Sequence, residues 1–240
     1  MRDRIPLFAG LLLLAVAIAL GSFEIADGIR NRNQGDVVTV TGSAKKRIVS
    51  DYAIWDASVT SADPSASAAA SRLAEWTDKV RAFLDEHGVQ GSELSVQPVS
   101  TQTISQQDAK NGAGAPGYQL TRNFEVRSPR VQAIADVAEA SSRLLAQGIP
   151  FSAQPLQYVY TKLPDLRPEL LAAATKDAQN RAKVLVGASG ASLGRIRGVN
   201  VGVFQVTSPN STDVSDYGVY DTSTLQKDVT AVVNVTFALR

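Results

Sequence analysis

The sequence predicts an α+β fold: a mostly antiparallel sheet with helices packed on one face, in the order ββαββαβαββ, preceded by one N-terminal transmembrane helix. Three observations carry this. Period-two runs such as Tyr118–Arg127 read as strands with one buried face. Apolar residues at helical spacing follow Asp63-Pro64 and Ser128-Pro129, each a capping side chain with proline behind it. Strands come partly in adjacent pairs and helices interrupt them singly, which is the pattern of α+β rather than of strict β/α alternation.

The N-terminal helix comes first. Arg2 and Arg4 precede an uncharged stretch from Ile5 to Phe23, and charge returns at Glu24 and Asp27. As a helix this stretch spans about 28 Å, close to the ~30 Å hydrocarbon layer. Its core, Leu11 to Leu20, has no polar face of the kind a helix in a soluble core would keep. Two readings remain open: a retained anchor, and a signal peptide cleaved after Ala19-Leu20-Gly21. Both place the rest of the chain outside the cytoplasm, because Arg2 and Arg4 stay inside. The expected organisation is an anchor or signal over residues 1–29, a polar linker over 30–36 and an α+β domain over 37–240. The expected location is a single-pass inner-membrane protein with its domain in the periplasm, or a soluble periplasmic domain after cleavage.

Val37–Thr41 is β-branched and reads as a strand ended by Gly42. Lys45, Lys46 and Arg47 read as a solvated turn before a second strand, Ile48–Ser61, whose Ala53, Trp55, Ala57 and Val59 share a face. A helix follows with Ala69, Leu73, Trp76, Val80, Phe83 and Leu84 as its stripe, stopped by His87-Gly88. Leu94–Ile104 is expected as a strand and Gln106–Gly117 as a hairpin loop. In the next strand Tyr118, Leu120, Phe124 and Val126 form the apolar face. Arg122 interrupts that face and is expected to reach an edge or a partner. The second helix carries Val131, Ile134, Ala138, Ser141 and Leu145, and Gly148 stops it. Phe151–Thr161 is a strand. Leu166–Ala188 is a long helix with Leu170, Leu171, Ala174, Ala178, Ala182 and Leu185 on one side. Ile196–Thr207 and Val229–Leu239 close the order, the latter with Val229, Ala231, Val233, Val235, Phe237 and Leu239 on one face.

Composition excludes several function classes. There is no cysteine, so thiol catalysis, Cys-ligated zinc, iron–sulfur clusters and disulfides fall away. Beyond Arg4 the chain balances 22 basic against 22 acidic residues, which gives no field to steer nucleic acid. The single histidine, His87, closes a helix and has no HxH or HExxH companion, so it reads as a helix C-terminus favoured by the dipole. Gly187–Gly194 is rich in small residues, but it follows a helix instead of opening one, so a helix stop is expected rather than a phosphate cradle. No catalytic residue, metal ligand or cofactor is assigned, and the chain is read as a non-enzyme.

The candidate functional segment is Ser208–Asp228, about twenty residues between two strong strands and longer than an ordinary hairpin loop. Asp213, Asp216, Tyr217, Tyr220 and Asp221 are its candidate residues for a subunit contact or a ligand loop. Carboxylates here could take a divalent ion, though not at EF-hand spacing. Tyrosines among polar residues also suit a protein contact, and a plain surface loop stands beside both readings.

The chain resembles the SIMPL-domain family of periplasmic and membrane-anchored bacterial proteins. The resemblance rests on Val38-Thr39-Val40-Thr41-Gly42, Gly117-Tyr118, Asp177-Ala178 with Arg181-Ala182, Gly190 with Leu193-Gly194, and the closing Val232–Leu239 run. It implies an α+β domain that self-assembles, in at least one member into a channel-like ring, with an indirect link to oxidative stress tolerance. It supplies no catalytic residues. The expected function is therefore a membrane-tethered extracytoplasmic structural protein. Its partners are copies of itself and the bilayer through Ile5–Phe23, and nucleic acid is not among them. The alternative is a periplasmic module binding a small ligand or divalent metal on the acidic 208–228 loop.

Overall fold

The computed structural model describes residues 36–111 and 116–240. The expected anchor Ile5–Phe23 lies outside the described residues, as do nearly all of the expected linker and residues 112–115. Among the described residues no helix is long and apolar enough to cross a membrane.

The elements are β1 (Val37–Val49), β2 (Tyr52–Asp63), α1 (Ala66–Glu86), β3 (Leu94–Val96), β4 (Ser100–Ile104), α2 (Gln106–Lys110), β5 (Gly117–Ser128), α3 (Val131–Ala140), α4 (Ser142–Ala146), β6 (Phe151–Ala153), β7 (Gln157–Val159), α5 (Leu163–Ala188), β8 (Leu193–Val201), β9 (Gln205–Thr207) and β10 (Gln226–Leu239). The fold is α+β with antiparallel ladders. It contains two sheets where one was expected. The first has the order β1-β10-β8, with β9 also on β10. The second has the order β3-β5-β2-β6, with β4 on β5 and β7 on β2. Alternation along a strand tells which face is buried, not which strand lies beside it, so the pairing of the first and last strands was not legible.

Two compact units result. One takes the chain up to Ala44, Glu169–Val203 and Ala231–Arg240; the other takes Lys45–Pro168 and Phe204–Thr230.

In the second unit, β2 and β5 pair from Ala53↔Ser128 to Asp63↔Tyr118. Ala53, Trp55, Ala57 and Val59 join Leu120, Phe124 and Val126 in a core shared with Leu73, Val80 and Leu84 of α1 and Ile134 and Val137 of α3. Helix α1 starts after Asp63, whose Oδ1 accepts the Ser65 N–H at 2.8 Å. It ends at Gly88, φ +79°, and the Val89 N–H then returns to the Leu84 carbonyl at 2.9 Å, a left-handed closure that glycine permits. The second expected helix divides at Ser141, whose hydroxyl donates to the Ala138 carbonyl at 2.6 Å. The buried stripe shifts with it: Leu144 is enclosed and Leu145 faces solvent. Two expected strands are split at prolines, Pro98 between β3 and β4 and Pro155 between β6 and β7, where no N–H exists for the ladder. The expected loop after Ile104 opens with the short helix α2. Arg122 reaches back to its own fold: its Nη1 donates to the Gln97 carbonyl at 2.9 Å.

In the first unit, α5 lays Ala174, Ala178 and Ala182 against Val40, Val233, Val235 and Phe237. Contacts at Asp36–Leu239, Thr39–Thr236 and Thr41–Asn234 run in opposite senses along β1 and β10, which makes that ladder antiparallel. Gly42 does not end β1. It sits mid-strand under α5, where a Cβ would lie 2.2 Å from the Ala174 carbonyl oxygen. The Ser43 N–H donates to Asp177 Oδ2 at 2.9 Å, and Arg181 pairs with the same oxygen at 2.8 Å. Leu185, expected on the buried side, is exposed, and Val186 takes that place.

Candidate functional site

The 208–228 segment belongs to the second unit and is tied down along its length. Gln205 in β9 is buried and spans the loop: its Nε2 donates to the Ser215 carbonyl at 2.7 Å, and its Oε1 accepts the Val219 N–H at 2.8 Å. The Val206 N–H donates to Val219 O, and the Asp221 N–H to Val206 O, both at 2.8 Å. Farther along, the Tyr158 N–H reaches Thr222 O at 2.7 Å and the Ser50 N–H reaches Leu225 O at 2.9 Å. The long segment is thus folded back on β9 and the neighbouring connections.

The candidate residues separate into four roles. Asp221 faces inward. It accepts the Ser223 N–H at 2.9 Å and the Ser223 hydroxyl at 2.6 Å, the Thr224 hydroxyl, and Lys227 Nζ at 3.3 Å. Burial opposes its charge, but the hydrogen bonds from Ser223 and Thr224 and the Lys227 charge outweigh it, so the carboxyl stays well below the usual carboxylate range. Tyr220 is a clamp: its hydroxyl accepts the Tyr160 N–H at 3.1 Å and donates to the Tyr160 carbonyl at 3.2 Å. Asp213 closes a local turn with Ser211, whose hydroxyl donates to Oδ2 at 2.7 Å. Only Asp216 and Tyr217 stand free toward solvent, Tyr217 at 97 % exposure beside Val214 at 82 %. Among the described residues no three Asp, Glu or His side chains converge on a metal site. His87 Nδ1 lies 2.8 Å from the Phe83 carbonyl, which requires a proton on Nδ1, and its ring lies against that of Phe83.

Sequence reasoning missed the groups that hold this segment. Lys45-Lys46-Arg47 is not a solvated turn, because β1 continues through it. Arg47 donates to Asp228 through Nε at 2.8 Å and Nη2 at 3.1 Å, and the Asn210 N–H adds 3.2 Å. The Arg47 hydrogen bonds hold the Asp228 carboxyl down at about 2. A partner 181 residues away leaves no sequence signal. Lys227 did leave one: it keeps phase with Val229 and Ala231, which puts a charged chain on the buried face of β10.

A second clamp fixes the start of α3. Glu93 bonds the Arg130 guanidinium and the Ser128 hydroxyl, and Arg130 holds its carboxyl near 2. For both carboxylates the folded value lies below the unfolded one, so their stabilisation is complete above about pH 4.5 and is lost as pH falls toward about 2. Urea midpoints of the full-length protein should therefore drop over that window. The double variant Glu93→Gln/Asp228→Asn should be weaker at pH 7 and show a flatter acid limb. An unchanged acid limb would mean that these two groups do not set it.

The fold and this segment define a two-unit α+β protein of antiparallel sheets in which the carboxylates of Glu93, Asp221 and Asp228 hold connecting segments in place. The chain belongs to the SIMPL family: the family model, described as a protein of unknown function (DUF541), matches residues 38–237. No match was found among curated proteins. Among solved structures it is similar to the ligand-free regulatory subunit of aspartate kinase from Thermus thermophilus, at 17 % identity over 81 % of this chain and 88 % of that one, TM-score 0.22. It is also similar to a hydrolase from Listeria innocua, at 11 % identity over 82 % and 91 %, TM-score 0.19. At these scores neither likeness bears on fold or activity.

Proposed function

We propose that this protein is a membrane-tethered, extracytoplasmic structural protein that self-assembles into a homo-oligomer and catalyses no reaction. The observation that carries the reading is β8. Among the described residues it pairs with β10 alone, through Val233↔Val201, Val235↔Val199 and Phe237↔Ile196. The β10 residues of these pairs are buried under α5, yet Ile196, Val199 and Val201 are each about half exposed. An edge strand with unpaired backbone groups and an apolar row is a template for another chain. The greasy stretch Ile5–Phe23 supports the tether, since two leading arginines favour insertion with the folded part outward.

Light scattering on the full-length protein in detergent tests this. The expected result is an oligomer that dissociates when Val199→Lys and Val201→Lys are combined, because lysine on an edge blocks strand addition. A monomer before any substitution would sink the reading.

A further inference from the structure

We infer that the face of the six-stranded sheet opposite α1 and α3 carries a binding site for a neutral saccharide. The site is independent of self-assembly through β8. A pocket of about 360 Å³ opens there, within the second unit, and Asp56, Ser58, Gln97, Asn123, Ser152 and Gln154 line it. That volume falls at the small end of the range for ligand pockets, about 300–1,000 Å³, which suits one or two sugar rings.

The ladders set the arrangement. Ser58 lies directly opposite Asn123 on β5 and directly opposite Ser152 on β6, which forms one row across three strands. Two residues along, Asp56 lies opposite Glu125, and the Gln154 N–H donates to the Asp56 carbonyl at 2.8 Å, which brings Gln154 beside the second row. Directly opposed side chains stand about 5 Å apart and successive same-face positions about 7 Å apart. The result is a grid of hydroxyl, amide and carboxylate groups on the scale of a pyranose ring and its hydroxyls.

Gln97 gives one amide N–H to the Ser95 hydroxyl at 3.1 Å and keeps its amide oxygen for the pocket. The sheet satisfies polar side chains elsewhere on this face, as where Thr60 and Thr121 bond each other at 3.0 Å. At Asp56 it does the reverse. Two carboxylates directly opposite across a ladder repel each other. Arg127 relieves Glu125 by bonding it, and this leaves Asp56, which also lines the pocket, with a longer-range attraction to Arg127. An acceptor-only carboxylate flanked by amides that both donate and accept matches a vicinal diol, whose hydroxyls do both as well. The lining excludes other classes. No Lys or Arg lines the pocket, so the only charges an anion meets there are the carboxylates of Asp56 and Glu125. The sole large apolar residue on it, Phe124, has its side chain buried in the core on the other side of the sheet, so a lipid chain gains little.

The test uses the full-length protein in a zwitterionic detergent, since glycoside detergents would compete. Maltotetraose, cellotetraose and chitotetraose are titrated by calorimetry and by saturation-transfer NMR. The expected result is saturable binding of at least one, weakened about tenfold or more by Asp56→Ala through loss of a hydrogen bond to a charged group. Ser152→Trp should fill the pocket and abolish binding without lowering the melting temperature. Gln102→Ala, on the same sheet face but off the pocket, should leave binding unchanged. Silence from all three saccharides, or binding that survives both Asp56→Ala and Ser152→Trp, overturns the assignment.

Discussion

Replacing Gly42 by alanine should destabilise the protein by about 3 kcal/mol or more, at the upper end of the usual cost of overpacking. The added Cβ would lie 2.2 Å from the Ala174 carbonyl oxygen, 2.5 Å from the Ala178 nitrogen and 2.7 Å from the Ala178 Cβ. Two of those atoms are helix backbone, so no side chain can turn aside, and α5 must lift from the sheet. Lifting it also separates Ala174, Ala178 and Ala182 from Val40, Val233, Val235 and Phe237, the buried cluster of this unit. The matched control is Gly198→Ala in β8, where nothing lies within 4 Å of the new methyl. That variant should unfold within about 0.5 kcal/mol of the parent, as surface substitutions do. Urea unfolding followed by far-ultraviolet circular dichroism reads both. Equal midpoints for the two variants would show that the helix does not rest on Gly42.

The same glycine shows what the sequence could and could not disclose. Gly42 after a β-branched run reads locally as a stop, because loss of the side chain weakens a strand. Its actual role depends on a helix more than 130 residues downstream, and no local pattern carries that. The alanines at 174, 178 and 182 held half the clue: a helix whose buried stripe is alanine must lie close to its partner. Periodicity served well where one face is buried and the other wet. Trp55, Val59, Phe124, Val126 and the odd-numbered apolar residues of β10 from Val229 to Phe237 are all enclosed as expected. Helix ends also followed their local chemistry at Asp63, Gly88 and Ser128. Errors gathered where a run met a proline, as at Pro98 and Pro155, or where strand partners lay far apart in sequence.

The 208–228 segment was legible as unusual but not in its roles. Carboxylates and tyrosines in a long loop look alike in sequence whether they face a ligand or their own backbone. Their spacing does not distinguish Asp221, which saturates its oxygens on Ser223, Thr224 and Lys227, from Asp216, which stands in solvent. The pocket on the sheet face opposite α1 and α3 was hidden for a different reason. Its residues are the polar half of the same alternation that identified β2 and β5, and that half reads as mere solvation until the ladder register places Asn123, Ser58 and Ser152 in one row.

Removal of Asp221 should be the second severe lesion, and it should cost more than removal of its partner. Lys227 is wholly buried, and its ammonium has Thr224 O at 2.6 Å and Asp221 Oδ2 at 3.3 Å. Asp221→Ala leaves that charge enclosed with a single carbonyl, and breaking a buried pair in this way costs about 3–5 kcal/mol. Lys227→Met instead keeps the volume and removes the enclosed charge. Asp221 then still has the Ser223 N–H and two hydroxyls, and it retains some contact with water, so the loss should be closer to about 1 kcal/mol. The double variant should be more stable than Asp221→Ala alone, because no uncompensated ion remains inside. A double-mutant cycle in urea measures all three, and the sign of the second step decides. If adding Lys227→Met to Asp221→Ala brings no recovery, the lysine is solvated in the unpaired state, and the clamp that holds residues 221–227 must draw its strength from the Ser223 and Thr224 hydrogen bonds alone.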